Sequence, residues 1–222
     1  MDFAYNLFYR LVQLIIRIIL KINGSLKVYG TENVPEKGGV IIASNHISYL
    51  DPPLVGAVLP RVATFLARKG LFDVPVLGWM ISRSAFPIDR ENPKPSSIKE
   101  AVRRLKKGES IVLFPEGKRS ETGDLLEARR GVDVIAKISK AAIVPTLIVG
   151  SDKALPLKAK WLKRADISVV FGKPIYYATP GKSDGLDGKG QDNISSTIMS
   201  EIGELKKEFG NRNIQQNQKA DQ

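Results

Sequence analysis

The 222-residue chain has one histidine, His46, and a carboxylate follows five positions later as Asp51 in "SNHISYLD" (44–51). A neutral imidazole near pH 7 can take a proton from a hydroxyl. A carboxylate on its other ring nitrogen would fix the tautomer and stabilise the charged form. A histidine satisfied by local backbone groups is the competing, purely structural reading. Two features favour chemistry. The preceding "GGVIIASNH" reads as a buried strand, and α/β proteins place sites at the carboxyl ends of strands. The carboxylate also lies within a turn or two along the chain. A second stretch, "FPEGKRS" (114–120), stops a strand at Pro115 and adds Glu116, Gly117, Lys118 and Arg119. Gly117 permits a tight turn, and Arg119 can hold a phosphate through two hydrogen bonds. Taken alone, the stretch reads more readily as an ordinary charged turn. "FPIDR", with Asp89 and Arg90, also ends a short strand, and "IVPT" (143–146) suggests only strand and edge geometry.

Composition narrows the chemistry. There is no cysteine, so disulfides, thiolate zinc sites and a cysteine nucleophile are excluded, and one histidine excludes a multi-histidine metal site. No G-x-S-x-G nucleophile elbow occurs. The balance of 34 Lys plus Arg against 23 Asp plus Glu gives a net charge of +11, which expects anionic partners. Nucleic acid, anionic lipid headgroups, and phosphorylated or CoA-like substrates all qualify. Nucleic acid is the weakest of these, because aromatic residues are only 7% and no helix-turn-helix, finger or ribonucleoprotein signature is present.

The elements that must position these residues follow from hydrophobic periodicity. "FAYNLFYRLVQLIIRIILKI" (3–22) is as long as a bilayer span, which takes about 20 apolar residues. Its Asn6, Arg10, Gln13, Arg17 and Lys21 form one polar stripe at helical spacing. An arginine at the bilayer centre costs about 2.5–3.5 kcal/mol. A helix lying in the interface, with the stripe beside anionic headgroups and the apolar arc buried, is the favoured arrangement over packing on the domain's own core. No basic run and no small-residue cleavage site mark a secretory signal. Residues 1–24 are thus expected to form a membrane-associated helix, 25–210 one domain, and 211–222 a disordered tail. Within the domain strand-like and helical stretches alternate, which predicts an α/β single-domain sandwich with a largely parallel mixed sheet. "PVLGWMI" reads as a short helix. "KPSSIKEAVRRLKKGE" reads as a helix capped by Ser96 or Ser97 and ended by Gly108. Asp51 is placed near the cap of a helix whose first turn holds two prolines.

Taken together, in their order and spacing, the four stretches resemble the glycerolipid acyltransferases of the lysophosphatidic acid acyltransferase (1-acylglycerol-3-phosphate O-acyltransferase) family. Asn45, His46 and Asp51 match the family's NHxxxxD block, "AFPIDR" its second block through Arg90, "FPEGKRS" its FPEGTRS block, and "IVPT" its fourth. The resemblance covers about residues 25 to 175 and implies acyl transfer from an acyl-CoA or acyl carrier protein thioester to a hydroxyl of a lysophospholipid, with no cofactor and no metal. It implies His46 as general base and Asp51 as its orienting carboxylate. Glu116, Gly117 and Arg119, with Arg90 and Lys69, would hold the acceptor phosphate, and Lys118 would add a cation beside Arg119. Lys118 stands where the family usually has threonine, and Gly70 follows Lys69 where many members have an acid, so the acceptor headgroup is less constrained than the reaction. The implied place is the cytoplasmic face of a membrane, with an anionic lipid surface as partner and no nucleic acid.

Overall fold

The computed structural model of the chain describes residues 3–68, 70, 72–73, 84–88, 95–129, 131–177 and 193–220. Its centre is β2 (Val40–Ser44), in which every residue is buried. Successive strand residues point to opposite faces, so Val40 and Ile42 enter one apolar layer while Ile41 and Ala43 enter the other. The first layer is covered by α2 (Asp51–Val58), through Leu54, Val55 and Val58, and by Leu20 of α1 (Phe3–Ile22). The second is covered by α3 (Pro95–Lys106), α4 (Gly131–Ser139) and α6 (Ile194–Ala220). In α6 it is Ile194, Ile198 and Ile202, at helical spacing, that reach this layer. The result is the expected α/β sandwich.

The other strands are β1 (Gly24–Tyr29), β3 (Ala63–Arg68), β4 (Ala85–Ile88), β5 (Ser110–Leu113), β6 (Ala142–Val149) and β7 (Ala165–Phe171). They lie in the order β1-β7-β6-β2-β5-β3-β4. All neighbours are parallel except β6 and β7. The chain leaves β2 for α2 on one face, and leaves the adjacent β5 for α4 on the other. Two neighbouring strands whose connections diverge open a crevice at their carboxyl ends, where open α/β sheets bind ligands. His46 lies two residues beyond β2, and Glu116 three beyond β5.

Several boundaries differ from expectation. The helix over 95–106 begins at Pro95, so Ser96 and Ser97 lie in its first turn rather than capping it; the Ser97 hydroxyl instead donates to the Pro87 carbonyl at 3.2 Å. A proline needs no N–H partner and suits a first helical position. Its end is as read. Gly108 takes φ +83°, its N–H donates to Leu105 O at 2.9 Å and that of Glu109 to Arg104 O at 3.1 Å, the paired bonds of a Schellman end. The last helix runs on to Ala220, where a disordered tail from 211 was expected. That segment has no proline and no glycine after Gly210, and its Gln, Lys and Ala are good helix formers. The "PVLGWMI" helix falls outside the described residues.

α1 departs from expectation in its orientation. Part of the polar stripe turns inward. Arg17 Nε donates to Ala57 O at 2.6 Å, Gln13 Nε2 to Gly56 O at 2.8 Å and Leu59 O at 3.1 Å, and the Tyr9 hydroxyl to Gly56 O at 3.2 Å. The physical reason is that a helix leaves its last carbonyls unpaired, and α2 ends there. Burial pushes the Tyr9 hydroxyl up to about 12. The opposite arc, from Leu7 through Phe8, Leu11, Leu14, Ile15, Ile18 and Ile19 to Ile22, stays exposed. No helix among the described residues is long and apolar enough to cross a membrane.

Candidate active site

The β2–β6 ladder stops at the Ser44–Thr146 pair. Beyond it the Asn45 amide takes the place of a strand: its Oδ1 accepts Ile148 N–H at 2.7 Å and its Nδ2 donates to Ile148 O at 3.0 Å. The β6 backbone is thereby satisfied while the main chain at His46 turns away from the sheet. The His46 N–H donates to Glu116 Oε1 at 3.0 Å, and its carbonyl accepts the Ser120 N–H at 2.7 Å. The ring stacks on Phe114 with centroids 4.1 Å apart and planes 22° from parallel. His46 is 5% exposed, so neither backbone nor ring has room to wander.

Asp51, at the first position of α2, is fully buried. Removing a carboxylate from water costs several kcal/mol unless hydrogen bonds replace the lost hydration. Four do. Oδ2 accepts from His46 Nδ1 at 2.8 Å, Ile47 N–H at 2.7 Å and Ser48 N–H at 2.8 Å, and Oδ1 accepts from the Ser151 hydroxyl at 2.5 Å. Ser151 opens α5 (Ser151–Ala154), the short helix after β6. With donors on every side, the carboxylate assigns the proton to His46 Nδ1 and leaves Nε2 as the acceptor. That is the tautomer a general base on a hydroxyl requires.

Glu116 is tied into the same network. It is 2% exposed, and Oε2 accepts Leu126 N–H at 3.2 Å while Oε1 holds His46. Burial is the main cause that pushes its carboxyl above the ordinary glutamate value, and the two backbone hydrogen bonds work against that shift. Its two oxygens, with one hydrogen bond each, tie the loop after β5 to the His46 backbone and to Leu126. Gly117 has φ +69°, and a Cβ there would meet the Arg129 side chain at 2.7 Å. The glycine is needed for the turn and for the packing of Arg129. Arg119 is half-buried with its guanidinium 3.4 Å from the centre of the Tyr49 ring, a cation–π contact. It makes no hydrogen bond or ion pair among the described residues, so its N–H edges can meet an anion. Lys118 is exposed. Lys69 and Arg90 lie outside the described residues. Phe114, which stacks on His46, also lines a cleft of about 100 Å³ with Leu66, Ile98, Leu113, Val132 and Ile135, and with Gly117 and Arg129 also on its wall.

His46, Asp51 and Glu116 thus share one buried network, with Arg119 one residue from its Ser120 anchor. Neither Ser151 nor the Phe114 stack carries a signal in the sequence. Phe114 belongs to the "FPEGKRS" block, but nothing in the spacing puts its ring against the imidazole.

The profile of the Acyltransferase family matches residues 25–149. The chain is 35% identical over 165 residues to the 1-acyl-sn-glycerol-3-phosphate acyltransferase of Bacillus subtilis (strain 168), covering 73% of this chain and 80% of that one. It is 31% identical over 200 residues to the enzyme of the same name from Streptococcus pneumoniae (strain ATCC BAA-255 / R6), covering 88% and 71%. In fold it is similar to the crystal structure of the 1-acyl-sn-glycerophosphate acyltransferase of Thermotoga maritima, with TM-score 0.72, 22% identity, and coverage of 89% of this chain and 79% of that one.

Proposed function

Since the chain belongs to the lysophosphatidic acid acyltransferase family of glycerolipid acyltransferases, we propose that it moves a fatty acyl group from a CoA or acyl carrier protein thioester to the sn-2 hydroxyl of lysophosphatidic acid, giving phosphatidic acid. The observation that carries this reading is the fully buried Asp51 carboxylate bonded to His46 Nδ1 at 2.8 Å and to three further donors.

His46 Nε2 takes the proton of the acceptor hydroxyl as its oxygen attacks the thioester carbonyl. Asp51 stabilises the imidazolium formed. Collapse of the tetrahedral intermediate breaks the carbon–sulfur bond, and the leaving thiolate takes the proton from the imidazolium. No covalent enzyme intermediate and no cofactor are used, because the thioester is already activated. Arg119, supported on Tyr49, holds the acceptor phosphate with Lys118 beside it. Lys69 and Arg90 are expected to join them. The cleft beside Phe114 suits the acyl chain near the thioester.

The exposed apolar arc of α1 lies in the cytoplasmic interface of an anionic membrane, where acceptor and product reside. Gln13 and Arg17, turned inward, fasten the helix to α2 and so tie the site to the surface.

Mass-spectrometric identification of the product is the test. Purified protein with acyl-CoA or acyl carrier protein donor and lysophosphatidic acid yields phosphatidic acid. A product formed only from another lysolipid or from glycerol 3-phosphate would retain the chemistry and overturn the acceptor, and Lys118→Thr would then be the first specificity variant to make.

A further inference from the structure

The segment 155–164, "LPLKAKWLKR", joins α5 to β7 and takes no part in the reaction above. It carries Trp161, which at 84% is the most exposed large apolar side chain among the described residues. Lys158, Lys160, Lys163 and Arg164 around it are also exposed. The three lysines make no side-chain hydrogen bond or ion pair among the described residues.

The loop is held at both ends. Its first carbonyl, Leu155 O, accepts the Ser48 hydroxyl at 2.8 Å, and Ser48 N–H is itself a donor to Asp51. Lys163 N–H returns to Ala154 O at 2.8 Å. Just past the loop, Ala165 N–H donates to Asn23 O at 3.0 Å, next to the end of α1. Leu162 packs into the same apolar layer as Ile16 and Leu20 of α1. Strand directions put these parts together. β6 runs with β2, β7 runs against β6, and β1 runs with β7. The starts of β1 and β7, and with them the end of α1, therefore lie at the carboxyl end of β2, where His46 sits.

We propose that this loop is a second membrane contact, with Trp161 seated at the headgroup level of an anionic bilayer and Lys158, Lys160, Lys163 and Arg164 over its phosphates. The inference rests on the reading of α1 as a membrane-docked helix. An indole, apolar with one N–H, suits that depth, and basic side chains are drawn to the anionic surface. A helix docked alone can roll about its own axis. A second contact beside its end stops the roll and keeps the His46 end of the sheet turned to the surface that supplies the acceptor. An acidic protein would also complement the charge. The bare indole, on a loop whose far end bonds to Asn23 just after the exposed Ile22 of α1 (77%), favours the bilayer.

The test uses vesicles of phosphatidylcholine with phosphatidylglycerol. The sequence has two tryptophans, so Trp79→Phe leaves Trp161 as the only indole. Its emission shifts to the blue on vesicle binding and is quenched by brominated acyl chains. In the otherwise native chain, Trp161→Ala lowers partitioning without lowering Tm. Lys160→Gln and Lys163→Gln each weaken it by about fivefold at low salt. Binding with unmoved, unquenched Trp161 emission and wild-type partitioning of the variants would overturn the second contact and leave α1 docking in place. No binding by the native chain would overturn both. Variants that bind vesicles normally but show a raised KM for an acyl carrier protein donor would reassign the patch to that acidic partner and overturn the proposal.

Discussion

Around His46 the polar groups are buried and paired, whereas around Arg119 the cations face open space. The Asp51 carboxylate takes four hydrogen bonds, Glu116 has both oxygens engaged, and the Asn45 amide is bonded at both ends. Arg119 leans on Tyr49, itself 60% exposed, and Lys118 stands in solvent. In the proposed mechanism, the half that moves a proton is pre-organised, which avoids reorganisation at the moment of reaction. The half that must admit and release a lipid headgroup is open. Variants in the first half should therefore lower kcat or stability, and variants in the second should raise the KM of the acceptor.

The largest effect should follow Asp51→Asn. The amide oxygen can still accept from Ile47 and Ser48, and its NH₂ can face a Ser151 hydroxyl rotated to accept, so the fold should survive. The charge that stabilises the imidazolium is lost, and kcat should fall by about 10²–10⁴, with a nearly unchanged circular dichroism melt. Glu116→Gln comes next. Its amide must present a donor to either the His46 or the Leu126 N–H, which costs about 1–3 kcal/mol in thermal or urea unfolding. The wild type also has a pH signature here. Because burial raises the folded-state Glu116 above its unfolded value, the folded state holds the proton more firmly, and stability falls as pH rises through that window. The Gln variant should lose this component. Arg119→Lys should have the smallest effect, raising the acceptor KM about tenfold by loss of one charge-assisted bond while kcat stays near wild type. A kcat loss in Arg119→Lys as large as that in Asp51→Asn would erase the distinction between the two halves.

Much of the frame was legible in the sequence. "VIIAS", "SIVL" and "AIVPTLIV" are near-continuous apolar runs because both faces of those strands are covered, and that signal survives in one dimension. His46 and Asp51 were legible because a strand end and a five-residue step are local facts. Less legible was anything that depends on strand order. Asn45 meets Ile148 across 103 residues, and Ser151 meets Asp51 across 100, only because β6 lies beside β2. Spacing likewise does not show that the backbone amides of His46 and Leu126 each donate to a Glu116 oxygen. The direction of the α1 stripe is hidden for a similar reason. Periodicity gives the angle around a helix axis but not which side meets the domain, and the unpaired carbonyls at the end of α2 drew Gln13 and Arg17 inward.

The most direct test of the central claim, that His46 is the base, is thiol release from an acyl-thioester donor in detergent micelles containing lysophosphatidic acid, with wild type beside His46→Ala. The account predicts acceptor-dependent release that falls about 10²–10⁴-fold in the variant. Release from folded His46→Ala at the wild-type rate would contradict it.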